Sequence, residues 1–231
     1  MIYVSSDWHG CDTKKIKALL KKAGFDNGDY LFVLGDVIDR GGNSVELLKF
    51  LMNAHNIELI LGNHEAFLLA NDWLFEEITD KNFSNVNPYR LSLYDEWMLN
   101  GGTPTLEALR KETPETRNAI IEFLRECPLY DAVSAGGKDF LLVHGGLGNY
   151  RHDKRMEEYL PYELLEERPT LSTHYSRSFT TVIGHTPTYY YGKDRKNKIL
   201  KMSTWIDIDT GAASGLNPCL LRLDDMEEFY I

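Results

Sequence analysis

The chain has 231 residues, with 25 Lys and Arg against 35 Asp and Glu, and a formal net charge of −10. That acidic balance argues against broad binding to nucleic acid or to an anionic membrane, both of which demand a basic surface, but it leaves room for a small phosphorylated substrate whose charge is met locally. The length suits one full-sized domain, 1–231, with a continuous core. Cys11, Cys127 and Cys219 are too scattered for a disulfide framework, which fits a reducing compartment. With neither a signal-peptide pattern nor an apolar run of about 18 residues, a cytoplasmic location without a membrane span is expected.

The first third alternates strand and helix signals. Met1–Ser6 reads as a buried strand. Thr13–Ala23 places Ile16, Leu19, Leu20 and Ala23 at helical spacing, with Gly24 set to end the helix. Tyr30–Leu34 is a second strand, Ser44–Met52 a second helix, Ile57–Leu61 a third strand, and Glu65–Leu74 a third helix. This βαβαβ order favours parallel strands joined by right-handed crossovers. Asp72–Cys127 reads as helical, with Asn82–Pro88 a polar loop and Thr113-Pro114 a helix start. Beyond it, Phe140–Val143, Thr181–Ile183, Ile199–Ser203, Trp205–Ile208 and Cys219–Leu223 read as short strands. The expectation is one α/β domain with two layers of sheet.

Candidate chemistry collects at strand ends. Asp7 and His9 follow the first strand, Asp36, Asp39 and Arg40 the second, Asn63 and His64 the third. His144 ends the strand Phe140–Val143, and His185 follows the strand Thr181–Ile183. Each alone reads as a turn former or a surface residue. Together they matter because parallel sheets gather ligands at the carboxyl ends of their strands. His55, His152 and His174 lack that context and read as surface or packing residues. Carboxylates, imidazoles and one amide, with no thiolate, suit Mn, Fe or Zn. A bridging carboxylate such as Asp36 suits two ions about 3.5–4 Å apart. Arg40 can grip phosphate oxygens through its planar fork. His64 can serve as general acid, with Asp39 orienting it.

The motifs Ser6-Asp7-Trp8-His9-Gly10, Gly35–Gly41, Gly62–Glu65, His144–Gly146 and Gly184–Thr186, in this order, resemble the phosphoprotein phosphatase branch of the calcineurin-like metallophosphoesterases. The resemblance spans about Met1 to Gly211. It implies an α/β fold in which a central β-sandwich of two mixed sheets is flanked by helices. It implies two divalent metal ions, with manganese the first expectation. Asp7, His9 and Asp36 would bind one ion, and Asp36, Asn63, His144 and His185 the other. It also implies His64 with Asp39 as an acid dyad, Arg40 as a phosphate clamp, and a second phosphate-binding arginine, for which Arg168 is the candidate and Arg177 and Arg151 are rivals. Ser6 stands where the family motif has glycine, and the tryptophan usual before the second arginine is absent.

In size the chain is most similar to small bacterial and phage serine/threonine phosphatases, so the first expectation is hydrolysis of phosphoserine or phosphothreonine in proteins. His9-Gly10-Cys11 is also found in symmetrical dinucleoside tetraphosphatases. The alternative is therefore a dinucleoside polyphosphate hydrolase, whose adenine pocket would draw on aromatics of the helical middle; Tyr89, Tyr94 and Trp97 are available there, although aromatics at such spacing more often pack in a core. Asn100-Gly101-Gly102-Thr103 occurs in both groups. A third reading, an inactive metal-stabilised binding protein, predicts a lost ligand or dyad residue, and none is lost. Asp209-Thr210-Gly211 reads as structural support for the site. Oligomeric state is not legible.

Overall fold

Strand β1, Ile2–Ser5, runs parallel to β2, Tyr30–Leu34, which runs parallel to β3, Ile57–Ile60. The computed structural model describes residues 1–76 and 87–231. Helix α1, Thr13–Ala23, joins β1 to β2. Asp12 caps its start by accepting from the Lys14 amide, and Gly24, at φ 71°, closes its end. Helix α2, Ser44–Met52, joins β2 to β3. Helix α3 spans Asn63–Ala70, so it begins two residues before the expected Glu65 and gives way to a 3₁₀ turn at Asp72–Phe75. Glu65 causes the early start: its carboxylate accepts from the Gly62 amide at 3.0 Å and caps the first turn.

Helices α4, Pro88–Leu99, α5, Thr103–Arg110, and α6, Pro114–Glu126, make up the helical middle. Of the expected Asn82–Pro88 loop, 82–86 lie outside the described residues, while Asn87 caps α4 and Pro88 is its first residue. Thr113 caps α6 as the Thr-Pro pair predicts.

The second half builds β4, Tyr130–Ala135, β5, Lys138–Val143, α7, Pro161–Leu165, β6, Thr180–Ile183, β7, Leu200–Lys201, β8, Trp205–Asp207, β9, Cys219–Arg222, and β10, Glu228–Tyr230. Among the described residues these form two five-stranded mixed sheets, ordered β10-β9-β1-β2-β3 and β4-β5-β6-β8-β7. The expected Ile199–Ser203 strand shrinks to two residues. Strands β4 and β10, which the sequence reading did not assign, sit at sheet edges.

Alternation along the strands separates the layers. Val4, Phe32, Leu34 and Ile60 of the first sheet meet Phe140, Leu142, Val182 and Ile206 of the second in one buried cluster. Tyr3, Leu31, Val33 and Leu59 face the other way, into a core with α1, α2 and the helical middle. Leu141, Val143, Ile183 and Trp205 pack outward against Leu147, Tyr159 and Leu164. The central strands are therefore apolar on both faces, which explains their continuous hydrophobic runs. Each such side chain, fully buried, contributes about 1.5–3 kcal/mol relative to exposure. The sandwich brings the carboxyl ends of β1, β2 and β3 to the same edge as those of β5 and β6, which are parallel to each other and to β8.

Candidate metal and phosphate site

The loops at that edge are tightly bent. Asp7, His9, Asp36, Asp39, Arg40 and His185 all have positive φ, between 42° and 69°. Six of the nine non-glycine residues with positive φ among the described residues are thus candidate site residues. Each costs of order 1–3 kcal/mol and persists only where surrounding bonds over-determine it.

Those bonds are visible. Glu65 is fully buried, and its carboxylate accepts from the amides of Asp36 at 2.8 Å, Val37 at 2.9 Å and Ile38 at 3.3 Å, in addition to Gly62. It ties the loop after β2 to the start of α3. Asp36 Oδ1 answers by accepting from the His64 amide at 3.1 Å. Across the sandwich, Asp7 Oδ2 accepts from the His185 amide at 3.0 Å. Gly184 makes that approach possible, since a Cβ there would collide with Asp7 Oδ2.

Asp7, His9, Asp36, Asn63, His144 and His185 are all buried at this edge. His9 Nε2 lies 3.8 Å from Asp7 Oδ1 and 3.5 Å from Asp36 Oδ2. His144 Nε2 lies 3.3 Å from Asp36 Oδ1 and 3.2 Å from His185 Nδ1. Two groups sharing Asp36 could each hold an ion: Asp36 with His144 and His185, and Asp36 with His9 and His64.

The donor set fits cations. His9 Nδ1 points to the Ile38 carbonyl at 3.1 Å and His144 Nδ1 to the Leu34 carbonyl at 2.7 Å. Donation of both Nδ1–H groups leaves both Nε2 lone pairs facing the carboxylates. Asn63 Oδ1 sits 3.0 Å from His144 Nε2, acceptor against acceptor. Turned over, the amide would donate to His144 Nε2, to His185 Nδ1 at 3.1 Å and to both Asp36 oxygens at 3.2 and 3.3 Å. The turned-over amide satisfies these atoms on its own, and a cation among them would instead favour the oxygen-inward amide. Asp7 Oδ1 is buried and has no hydrogen-bond partner among the described residues.

Electrostatics say the same. Burial raises the Asp36 carboxyl well above its ordinary range, and Asp7 and Glu65 add to this. Burial raises Asp7 as well, with Asp209 adding repulsion, and pushes Asp209 up to about 7. Burial lowers His9 and His185, and neighbouring imidazoles and arginines lower them further. A buried cluster of carboxylates and neutral imidazoles is the environment that a divalent ion relieves.

Beside it, His64 Nδ1 is 2.7 Å from Asp39 Oδ2. Asp39 is fully buried and also accepts from Trp97 Nε1 at 2.8 Å, while its amide donates to Thr105 Oγ1 at 2.9 Å. Burial works against an imidazolium at His64, but Asp36 and Asp39 outweigh it and the net shift is upward. Arg40 Nη2 lies 3.1 Å from His64 Nε2, a bond that requires a lone pair there and opposes a cation at that nitrogen. Arg40 is held in turn by its amide bond to the Gly101 carbonyl at 2.9 Å.

Arg40 and Arg168 line one pocket of about 330 Å³ with His9, Asp36, Asn63 and His64. Arg168 Nη1 donates to the His185 carbonyl at 3.0 Å and to Thr186 Oγ1 at 3.1 Å. Arg177 and Arg151 are exposed and do not line it, and His55, His152 and His174 are exposed as expected. Of the three aromatics of the helical middle, Trp97 is fully buried and serves Asp39, and Tyr94 packs against the same core, as aromatics at that spacing more often do, while Tyr89 is exposed. Glu96 and Glu166 also line the pocket, and no sequence signal marked them. Asp209 is buried and accepts from the Gly211 amide at 2.8 Å, consistent with a supporting place.

A family profile described as calcineurin-like phosphoesterase matches residues 1–208. A symmetrical bis(5'-nucleosyl)-tetraphosphatase of Acidovorax ebreus is 27% identical over 209 residues, covering 88% of this chain and 64% of the relative. A relative of the same name from Buchnera aphidicola is 44% identical over 71 residues, which is 30% of this chain and 26% of the relative. The chain therefore spans less than two thirds of the length of these curated relatives. A solved structure described provisionally as that of a diadenosine tetraphosphatase superposes with a TM-score of 0.65 at 17% identity, covering 100% of this chain and 92% of that one. The profile match covers most of the sequence and every motif that shapes the edge described above, so the chain belongs to the calcineurin-like phosphoesterase family.

Proposed function

We propose that this chain is a metal-dependent hydrolase of phosphoric esters or anhydrides, and that its substrate is a dinucleoside polyphosphate. The observation that carries the chemistry is Asp36, whose two carboxylate oxygens face different imidazoles, Oδ2 that of His9 at 3.5 Å and Oδ1 that of His144 at 3.3 Å, with His185 beside His144. In this reading Asp7, His9 and Asp36 hold one divalent ion, and Asp36, Asn63, His144 and His185 the other. His64 stays outside the ligand set because Arg40 lies against its Nε2. Divalent ions bound there would supply Lewis acidity toward phosphoryl oxygens and acidify the attacking water.

The chain's own residues do the rest. Arg40 and Arg168 hold phosphate oxygens in the pocket that they share. His64 gives the leaving oxygen a proton from Nε2, while Asp39 fixes its Nδ1. The Arg40 contact cannot coexist with an Nε2–H, so Arg40 must turn to the phosphate as Nε2 takes up its proton.

The dinucleotide reading is supported by the tetraphosphatase name of the curated relatives. The phosphoserine/phosphothreonine reading rests on the motif set and on chain size. Relative kcat/KM on diadenosine tetraphosphate and on a phosphoserine/phosphothreonine peptide, with Mn²⁺, separates them. Preference for the dinucleotide supports the proposal, and preference for the peptide reverses the substrate assignment.

A further inference from the structure

A second cleft, of about 590 Å³, opens from the phosphate pocket and shares Arg40, Arg168 and His185 with it. Among the described residues its far wall carries no charge: Pro187, Tyr189, Tyr190 and Ser214. Tyr190 is 71% exposed, unusual for so large an aromatic side chain. It is not loosely placed. Its ring lies 4.9 Å from that of Tyr189 with an interplanar angle of 33°, and the Tyr189 hydroxyl is fixed against Ser214 Oγ at 2.7 Å. Gly211 leaves room for this shelf, since a Cβ there would come within 3.0 Å of the Tyr189 ring. The next residue, Tyr191, turns inward, bonds to the Pro169 carbonyl at 2.9 Å and packs on Trp205, anchoring the turn that presents the pair.

One end of the cleft is therefore cationic and the other is a braced, neutral aromatic shelf. A ligand that satisfies both ends has phosphate at one end and a planar π-system at the other. The volume lies within the range of small-molecule sites. A nucleobase meets these terms, because every base offers a π-face that stacks on an aromatic side chain without hydrogen-bond readout.

From this geometry we infer that Tyr189 and Tyr190 form a stacking subsite for the nucleobase of a nucleotide whose phosphate reaches Arg40 and Arg168. The inference rests on the proposed function for where the phosphate binds, and it places the base on the side of β6, away from the helical middle. Stacking there would be tolerant of base identity, since among the described residues the side chains of the neutral wall offer no polar group beyond the Ser214 and tyrosine hydroxyls.

The test is equilibrium binding by titration calorimetry to the full chain loaded with Mn²⁺, which needs no turnover. Adenosine 5'-monophosphate is compared with ribose 5-phosphate, which keeps the sugar phosphate and lacks the base. The expected result is about tenfold tighter binding of the nucleotide, in the range that base stacking supplies. Tyr190→Ala should remove that advantage and Tyr190→Phe should retain it. A defect in folding would weaken both ligands alike and leave their ratio unchanged. The inference is overturned if the nucleotide binds no better than ribose 5-phosphate, if its advantage survives Tyr190→Ala, or if phosphotyrosine binds more tightly than the nucleotide. A chain with the expected ratio that hydrolyses no phosphate compound would overturn the proposed function and leave the base subsite standing.

Discussion

Asp7 Oδ2 accepts the amide hydrogen of His185 at 3.0 Å, joining the loop after β1 to the loop after β6 across 178 residues of chain. The bond locks the two halves of the sandwich at the edge where the candidate ligands meet. It exists because Gly184 has no side chain, and a Cβ would also come within 2.7 Å of Ser6 Oγ. Gly184→Ala should therefore displace Asp7 and His185 together. The expected outcome is weaker Mn²⁺ binding, by tenfold or more, with a stability loss of about 1–3 kcal/mol from overpacking. Calorimetric metal titration and urea unfolding check the two parts.

His64 is close enough to Asp36, 3.8 Å from Nε2 to Oδ2, to be mistaken for a ligand. His64→Asn separates the roles. The expected outcome is unchanged metal content and a turnover reduced by about 10²–10⁴-fold, the usual contribution of a positioned acid. Metal counting by mass spectrometry beside single-turnover kinetics reads both. Loss of an ion in this variant would make His64 a ligand.

Glu65 accepts from four backbone amides. In Glu65→Gln the new amide nitrogen faces N–H groups that need acceptors. Leaving even one buried donor unsatisfied costs about 1–3 kcal/mol, and bonds to a charged group are the stronger kind. The expected loss is about 3 kcal/mol in urea unfolding, with reduced metal affinity because Asp36 loses its support. A stability change under about 0.5 kcal/mol would be the size of a neutral surface substitution and would contradict this role.

How much of this was legible in the sequence can be judged from particular residues. Val33, Leu34 and Ile60 sit in strands buried on both faces, and such runs announce themselves. Strand β4 does not: Tyr130–Ala135 mixes Asp131 and Ser134 with apolar residues because it is an edge strand with one face to solvent. His64 and Asp39 were legible as a pair from their motifs. Trp97 was not legible as their partner, because its role depends on a hydrogen bond spanning 58 residues. Arg168 is one of three arginines that the spacing leaves open, and only the packing of α7 and the following turn brings it beside Arg40. The aromatic shelf carried no motif, since only the 3₁₀ turn at Thr188–Tyr191 decides which of three consecutive tyrosines turns inward.

Away from the site, Glu163 and Lys154 form an ion pair at 2.9 Å with each side chain 6% exposed. Bonds from Asn149, the Leu160 amide and Lys154 lower the Glu163 carboxyl to about 2 from its ordinary 4.5. A depressed folded-state value stabilises the fold fully above the unfolded value, and the contribution fades as pH falls toward the folded one. Glu163→Gln should therefore be less stable than the parent above pH 4.5, with the gap closing between pH 4.5 and 2. Urea midpoints of both proteins at pH 6, 4 and 3, relative to the ordinary carboxylate range, follow this gap. A gap that widens on acidification would contradict it.

If divalent ions at Asp36 drive phosphate hydrolysis by this chain, activity must follow their occupancy. The most direct test strips the protein of metal and titrates Mn²⁺ back while following both bound ions and hydrolysis of diadenosine tetraphosphate, with Asp36→Asn alongside. The expected result is binding of two ions per chain, activity that rises with their occupancy, and loss of both in the variant. Full activity in the metal-free chain, or a loaded chain that cleaves neither the dinucleotide nor a phosphopeptide, would contradict it.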